Sequence, residues 1–165
     1  MPILGAHTME CFSRSPDQTR RLGVRLGALM KPGDLVCLEG ELGAGKTTFV
    51  QGVASGWGSL DSVTSPTFVL VNEYQRPDSA CIFHLDAYRI ESAPEAELLD
   101  LDAMLTHGAL VVEWPERIRS VLPRAHLWVN LQFVEEDHRD LCFSASGDRA
   151  ESLLASFRQS VFGVT

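Results

Sequence analysis

The chain has 165 residues, 45% of them hydrophobic and 22% charged, with a formal net charge of −8. Length and composition fit one globular domain with its own core. The acidic balance argues against gripping DNA or RNA directly, because phosphate contacts draw on Lys and Arg, so a role in nucleic-acid metabolism is expected to run through a protein partner.

Residues 1–7 read as a poorly ordered extension, without the basic region and apolar run of a secretory signal. A strand is predicted near residues 8–12. Ser15 then offers a helix cap with Gln18 three residues on, the capping-box spacing. Leu22, Leu26, Leu29 and Met30 follow at helical spacing, and Pro32 and Gly33 end the helix. Residues 34–39 carry the buried-strand run Leu35-Val36-Cys37-Leu38. A glycine-rich turn leads into a second helix near Lys46, with Val50, Val53, Ala54 and Trp57 on one face and Gly56 and Gly58 marking its end. Strands are predicted over 68–74, 80–86 and 109–113, and short helices over 94–102 and 115–121. Leu127, Val129, Leu131 and Phe133 alternate, as do Leu141, Phe143 and Ala145. With Glu135, Glu136 and Asp137 between them, they predict an antiparallel hairpin. Leu153, Leu154, Phe157 and Val161 predict a closing helix. The expected fold is α/β: a P-loop NTPase-like domain whose mixed parallel and antiparallel sheet is flanked by helices. No stretch reaches the ~20 apolar residues of a membrane span. Cys11, Cys37, Cys81 and Cys142 have no close pairing and lie in apolar runs, so they read as reduced core residues, which fits a cytoplasmic location.

Residues 40–47, Gly-Glu-Leu-Gly-Ala-Gly-Lys-Thr, match G-x-x-x-x-G-K-[ST] in full, between a strand and a helix as that motif requires. The glycines let main-chain N–H groups close around an anion. The helix N-terminus adds partial positive charge. Glu41, Leu42, Gly43, Ala44, Gly45, Lys46, Thr47 and Thr48 are therefore the candidate nucleotide-binding residues. Lys46 faces the β and γ oxygens, and Thr47 offers a hydroxyl to Mg2+. Thr48 is either a further phosphate contact or a helix-start residue.

A P-loop site needs an acid at a neighbouring strand end. Asp86 and Glu113 both follow apolar runs, so one could support the metal while the other orients water. His84 is either a hydrogen-bonded structural histidine or part of the site. Arg89 either pairs with an acid or stabilises phosphate charge. Ser65 and Thr67, in Ser65-Pro66-Thr67-Phe68, occupy the interval where P-loop switches sense the γ-phosphate. Trp114 either packs in the core or shields the site from water.

GELGAGKTTF at 40–49, SPTF at 65–68, HLDAYR at 84–89 and VEWPER at 112–117 follow one another in order. Together they resemble the TsaE family, small bacterial ATPases of threonylcarbamoyladenosine (t6A) modification of tRNA. The similarity runs from about residue 8 to about residue 145. It implies Mg-ATP as ligand, with ADP as product. It implies TsaB- and TsaD-type protein partners, which transfer the threonylcarbamoyl group to adenosine 37; the ATPase meets tRNA only indirectly. It implies Thr47 and Glu113 as magnesium ligands, Asp86 as the strand-end acid needed for hydrolysis, Ser65 and Thr67 in a switch-like loop, and Trp114 in a second mobile segment. Adenine contacts are expected near residues 13–17 and near Glu135.

Three other functions compete. A small-molecule kinase would need a basic lid, whereas residues 91–102 are acidic. A Ras-type GTPase would carry N-K-x-D and D-x-x-G, and neither occurs. A nucleotide-dependent interaction module would bind ATP with negligible turnover.

Overall fold

The computed structural model describes residues 5–63 and 71–163. Strand β1 (Thr8–Ser13) leads into helix α1 (Pro16–Leu29). The capping signal works as its chemistry requires: Ser15 Oγ accepts from Gln18 N at 3.1 Å, and the Gln18 side chain reaches back to Arg14 N at 2.7 Å. Then come β2 (Leu35–Glu39), α2 (Lys46–Trp57), β3 (Val71–Gln75), β4 (Cys81–Asp86), α3 (Ala93–Glu97), α4 (Leu101–His107) and β5 (Gly108–Glu113). A 3-10 helix (Pro115–Ile118), β6 (His126–Glu135), β7 (His138–Ser146) and α5 (Asp148–Phe162) complete the chain.

The seven strands form one sheet in the order β1-β7-β6-β2-β5-β4-β3. The four inner strands β6, β2, β5 and β4 run parallel; β3, β7 and β1 each pair antiparallel with their neighbour. This is the mixed sheet the sequence predicts. β2 lies at its centre, so both its faces are buried. Val36 and Leu38 meet Leu26, Phe49, Val53 and Phe157 from α1, α2 and α5. Leu35 and Cys37 belong to the opposite core with Ala96, Leu101 and Ile118. A strand buried on two sides reads as an unbroken apolar run.

α1 and α2 pack with almost no space between their backbones. A Cβ on Gly27 would intrude on the Val53 carbonyl, and one on Gly52 on the Arg20 carbonyl. Gly56, which the sequence places at the end of α2, lies within the helix against Val24 for the same reason. Gly58 alone terminates it, at φ 98°.

Other expectations are adjusted. The helix predicted over 94–102 is two short helices, because Asp100 takes a left-handed conformation (φ 52°) and caps α4 through Ala103 N. The helix predicted over 115–121 is the 3-10 turn, which Pro115 begins. All four cysteines are free, but Cys142 is only partly buried.

Candidate functional site

The loop that follows β2 turns back on itself, with Ala44 N donating to Glu41 O at 3.0 Å. Gly45 then begins α2 at φ 103°, which a residue with a Cβ rarely adopts. As N-cap it has no side chain to occupy the first amides, and no acid stands in the first turn. The helix therefore presents its partial positive end undiminished to the loop. Ala44 is buried beneath the turn; Glu41 and Leu42 are exposed at its crest, Gly43 beside them. Thr47 and Thr48 are half-buried on the first turn.

Parallel pairing brings the two acids to this loop. Asp86 and Glu113 are register partners at the carboxyl ends of β4 and β5, and Glu113 lies beside β2 through the Leu38 pairing. Lys46, itself buried, donates to the Gly40 carbonyl. Burial pulls its ammonium below its ordinary value, and the carboxylates of Glu113, Glu116, Asp86 and Glu41 oppose that shift. Burial pushes Asp86 above its ordinary 3.8, while a hydrogen bond from Tyr88 N at 2.9 Å works the other way.

His84, one turn of the pleat before Asp86, is fully engaged in hydrogen bonding. Its Nε2 lies 2.6 Å from Glu113 Oε2, and its Nδ1 3.1 Å from the Tyr74 hydroxyl. A carboxylate only accepts, so Nε2 donates to Glu113. Asn72 Nδ2 donates to the Tyr74 oxygen at 3.5 Å. Three side chains from β3 and β4 thereby orient one carboxylate on β5.

Trp114 follows Glu113 in a left-handed conformation (φ 59°), an outlier for a bulky residue. The turn lays its ring under Lys46 Nζ, 3.9 Å from the centroid, and against Tyr88 at 4.9 Å between ring centroids. Trp114 thus neither belongs wholly to the core nor stands alone at the surface. Arg89 is exposed. Ser65 and Thr67 lie outside the described residues.

The donors gathered here suit magnesium. Thr47 would offer a hydroxyl, and Glu113 and Asp86 carboxylates, all hard oxygens; a cation that keeps waters and binds phosphates needs only one or two protein ligands. Among the described residues, the group of acids and thiols close enough for a metal is a different one, Glu10, Asp140 and Cys142 on β1 and β7. Burial and the Asp140 and Glu10 carboxylates push the Cys142 thiol up to about 11.

Of two recesses of similar size, only the first is lined by loop residues. One of about 450 Å³ is walled by Glu39, Glu41, Trp114, Glu116 and Phe133. The other, of about 430 Å³, brings Phe12, Ser13 and Arg14 against Val134, His138 and Arg139. It joins the two segments that the sequence offers for adenine. A buried pair of hydroxyls, Ser13 and Thr19 at 2.7 Å, fixes the start of α1 beside it. Arg139 escaped the sequence reading: its Nε and Nη2 donate to the carbonyls of Ala44 and Gly43 at 3.0 and 3.1 Å. The only available sign was a cation beginning a strand after an acidic turn.

The chain also resembles known proteins in sequence and in fold. Residues 13–141 match the family model of the threonylcarbamoyl adenosine biosynthesis protein TsaE. A Bacillus subtilis protein named tRNA threonylcarbamoyladenosine biosynthesis protein TsaE is 40% identical over 84% of this chain and 87% of its own. A Treponema pallidum protein of the same name is 37% identical over 81% of this chain and 98% of its own. The crystal structure of Bacillus subtilis YdiB superposes with a TM-score of 0.78 at 31% identity, covering 98% of both chains. The chain, matched over residues 13–141, belongs to the TsaE family of threonylcarbamoyl adenosine biosynthesis proteins.

Proposed function

We propose that this protein binds Mg-ATP at residues 40–48 and hydrolyses it in support of threonylcarbamoyl modification of tRNA, acting with TsaB- and TsaD-type partners. The observation that carries the reading is the convergence of Lys46, Asp86 and Glu113 on the start of α2, at the carboxyl ends of three parallel strands. Ligands of open α/β sheets bind at this edge.

The main-chain amides and the end of α2 hold the phosphates, and Lys46 leaves the Trp114 ring to neutralise the transferring group. Magnesium, when bound, would supply positive charge against the phosphate. Thr47 and Glu113 would hold it, and Asp86 would join them or orient the attacking water. His84 and Trp114 set the directions of Glu113 and Lys46. The recess between Phe12, Arg14 and His138 takes the adenine. Ser65 and Thr67 respond to the γ-phosphate. The net charge of −8 supports contact with tRNA through the partners rather than directly. Four free thiols suit the reducing cytoplasm, and among the described residues no helix is long and apolar enough to cross a membrane.

The test is calorimetry with Mg-ATP, followed by phosphate release with and without the partner proteins. Lys46→Ala should weaken ATP binding about 100-fold or more, from the loss of a charge-assisted contact. Turnover should rise when the partners are added. Unchanged affinity in the variant would remove the loop from the reading; binding without turnover in any mixture would leave an interaction module in place of an ATPase.

A further inference from the structure

We propose that Arg139 is a positioning residue for the phosphate loop: from the β6–β7 hairpin it turns two loop carbonyls outward and so aims the Gly45 amide at the bound phosphates. The inference rests on the phosphate-binding reading of residues 40–48.

The guanidinium makes hydrogen bonds to four main-chain carbonyls. Nε donates to Ala44 O at 3.0 Å and Nη2 to Gly43 O at 3.1 Å. Nη1 donates to Glu136 O at 2.8 Å and to His138 O at 3.0 Å. The cation also lies over the Phe133 ring, 5.1 Å from its centroid. One planar group thus ties the hairpin turn to the crest of the loop across 95 residues of sequence. A lysine, with a single compact ammonium, cannot reproduce such a fork.

The consequence follows from peptide geometry. In a trans peptide the C=O and the following N–H point in opposite directions. Holding the Ala44 carbonyl toward Arg139 turns the Gly45 N–H to the other side, into the cup at the start of α2. The Gly43 carbonyl is held likewise, and the Ala44 N–H opposite it closes the turn onto Glu41 O at 3.0 Å. A carbonyl oxygen carries partial negative charge, so either one turned inward would repel the phosphate. Arg139 averts both. It also adds a full positive charge directly behind Gly45, where an added Cβ would lie 3.8 Å from its Nε.

Arg139 lines two recesses at once. It faces Pro16, Thr19, Gly45 and Thr48 on one side, and Phe12, Arg14, Val134 and His138 on the other. A shift of the hairpin is thereby carried to the loop through one side chain.

The experiment measures binding of ADP and of inorganic pyrophosphate by calorimetry, for wild-type protein, Arg139→Ala, Arg139→Lys and Lys46→Ala. Loss of two charge-assisted hydrogen bonds predicts a roughly 10- to 100-fold weaker affinity for both probes in Arg139→Ala. Arg139→Lys should recover only part of it. Millimolar guanidinium should restore binding to Arg139→Ala and leave Lys46→Ala unchanged, a rescue that a general loss of structure would not show. The amide resonance of Gly45 in the ligand-free protein should shift in Arg139→Ala and return with guanidinium. Wild-type affinity in a folded Arg139→Ala overturns the inference while leaving the phosphate loop intact. So does weakened binding with no rescue and an unmoved Gly45 amide. Failure of the wild-type protein to bind either probe overturns the phosphate-binding reading, and this inference with it. Should Arg139→Ala not fold, Arg139→Lys carries the comparison, and its equality with wild type overturns the inference.

Discussion

Replacing His84 with alanine isolates the interaction that orients Glu113. The two side chains meet at 2.6 Å, with relative exposures of 1% and 6%. Removing the imidazole therefore leaves a carboxylate in a nearly closed site without the donor that solvates it. Breaking a buried pair in this one-sided way costs about 3–5 kcal/mol, a large part of the 5–15 kcal/mol typical of a whole domain. For a chain of this size, that corresponds to a fall of roughly 6–20 °C in melting temperature. The assay is urea and thermal unfolding of the ligand-free protein, followed by circular dichroism. His84→Gln, which keeps an amide donor near the Nε2 position, should regain part of the loss. Tyr74→Phe should sit between wild type and His84→Ala, since it removes only the group that holds Nδ1. A destabilisation of His84→Ala below about 1 kcal/mol would refute the reasoning, because Glu113 would then be finding water or another cation without penalty.

Two further predictions concern the scaffold and the second acid. Gly27→Ala inserts a methyl group into the Val53 carbonyl at the α1–α2 contact; overpacking of this kind should cost about 3 kcal/mol, and calorimetric melting would show it. Asp86 titrates above its ordinary 3.8 in the folded chain because burial disfavours its charge. The unfolded chain therefore loses that proton first as pH rises, and the ionised group opposes folding above the raised value. Asp86→Asn keeps an acceptor for Tyr88 N, so it should raise the melting temperature at neutral pH. The gain should shrink as pH is lowered toward the ordinary carboxylate value, while ATP turnover falls; a pH-independent gain would contradict the assignment to Asp86.

What the sequence made legible was local. The capping of α1 depends on residues three apart, the hairpin on alternation around one turn, and the phosphate loop on eight consecutive positions. Each signal acts within its own segment, and the cap, the hairpin and the strand–turn–helix around the glycine loop are found in the fold. The features missed depend on partners brought together only by folding. Gly23 and Gly27 share the four-residue spacing of Gly52 and Gly56, yet that spacing gains meaning only when the helices face each other. Read along one helix, Gly56 looked like an ending. His84 and Glu113 stand 29 residues apart, and their contact follows from the parallel pairing of β4 with β5, which sets Asp86 opposite Glu113 and leaves His84 on the same face two positions earlier.

Arg139 is the extreme case, because neither its own strand pattern nor the loop motif hints at the other. The P-loop motif specifies which residues can form an anion cup; it does not specify which way each peptide plane faces. That choice falls to whatever the rest of the fold places behind the loop, and here it is a guanidinium from a hairpin. A match to the motif thus marks where phosphate can be held, while the strength of the grip depends on residues outside the motif. Variants of those residues should change affinity without altering a single letter of the loop.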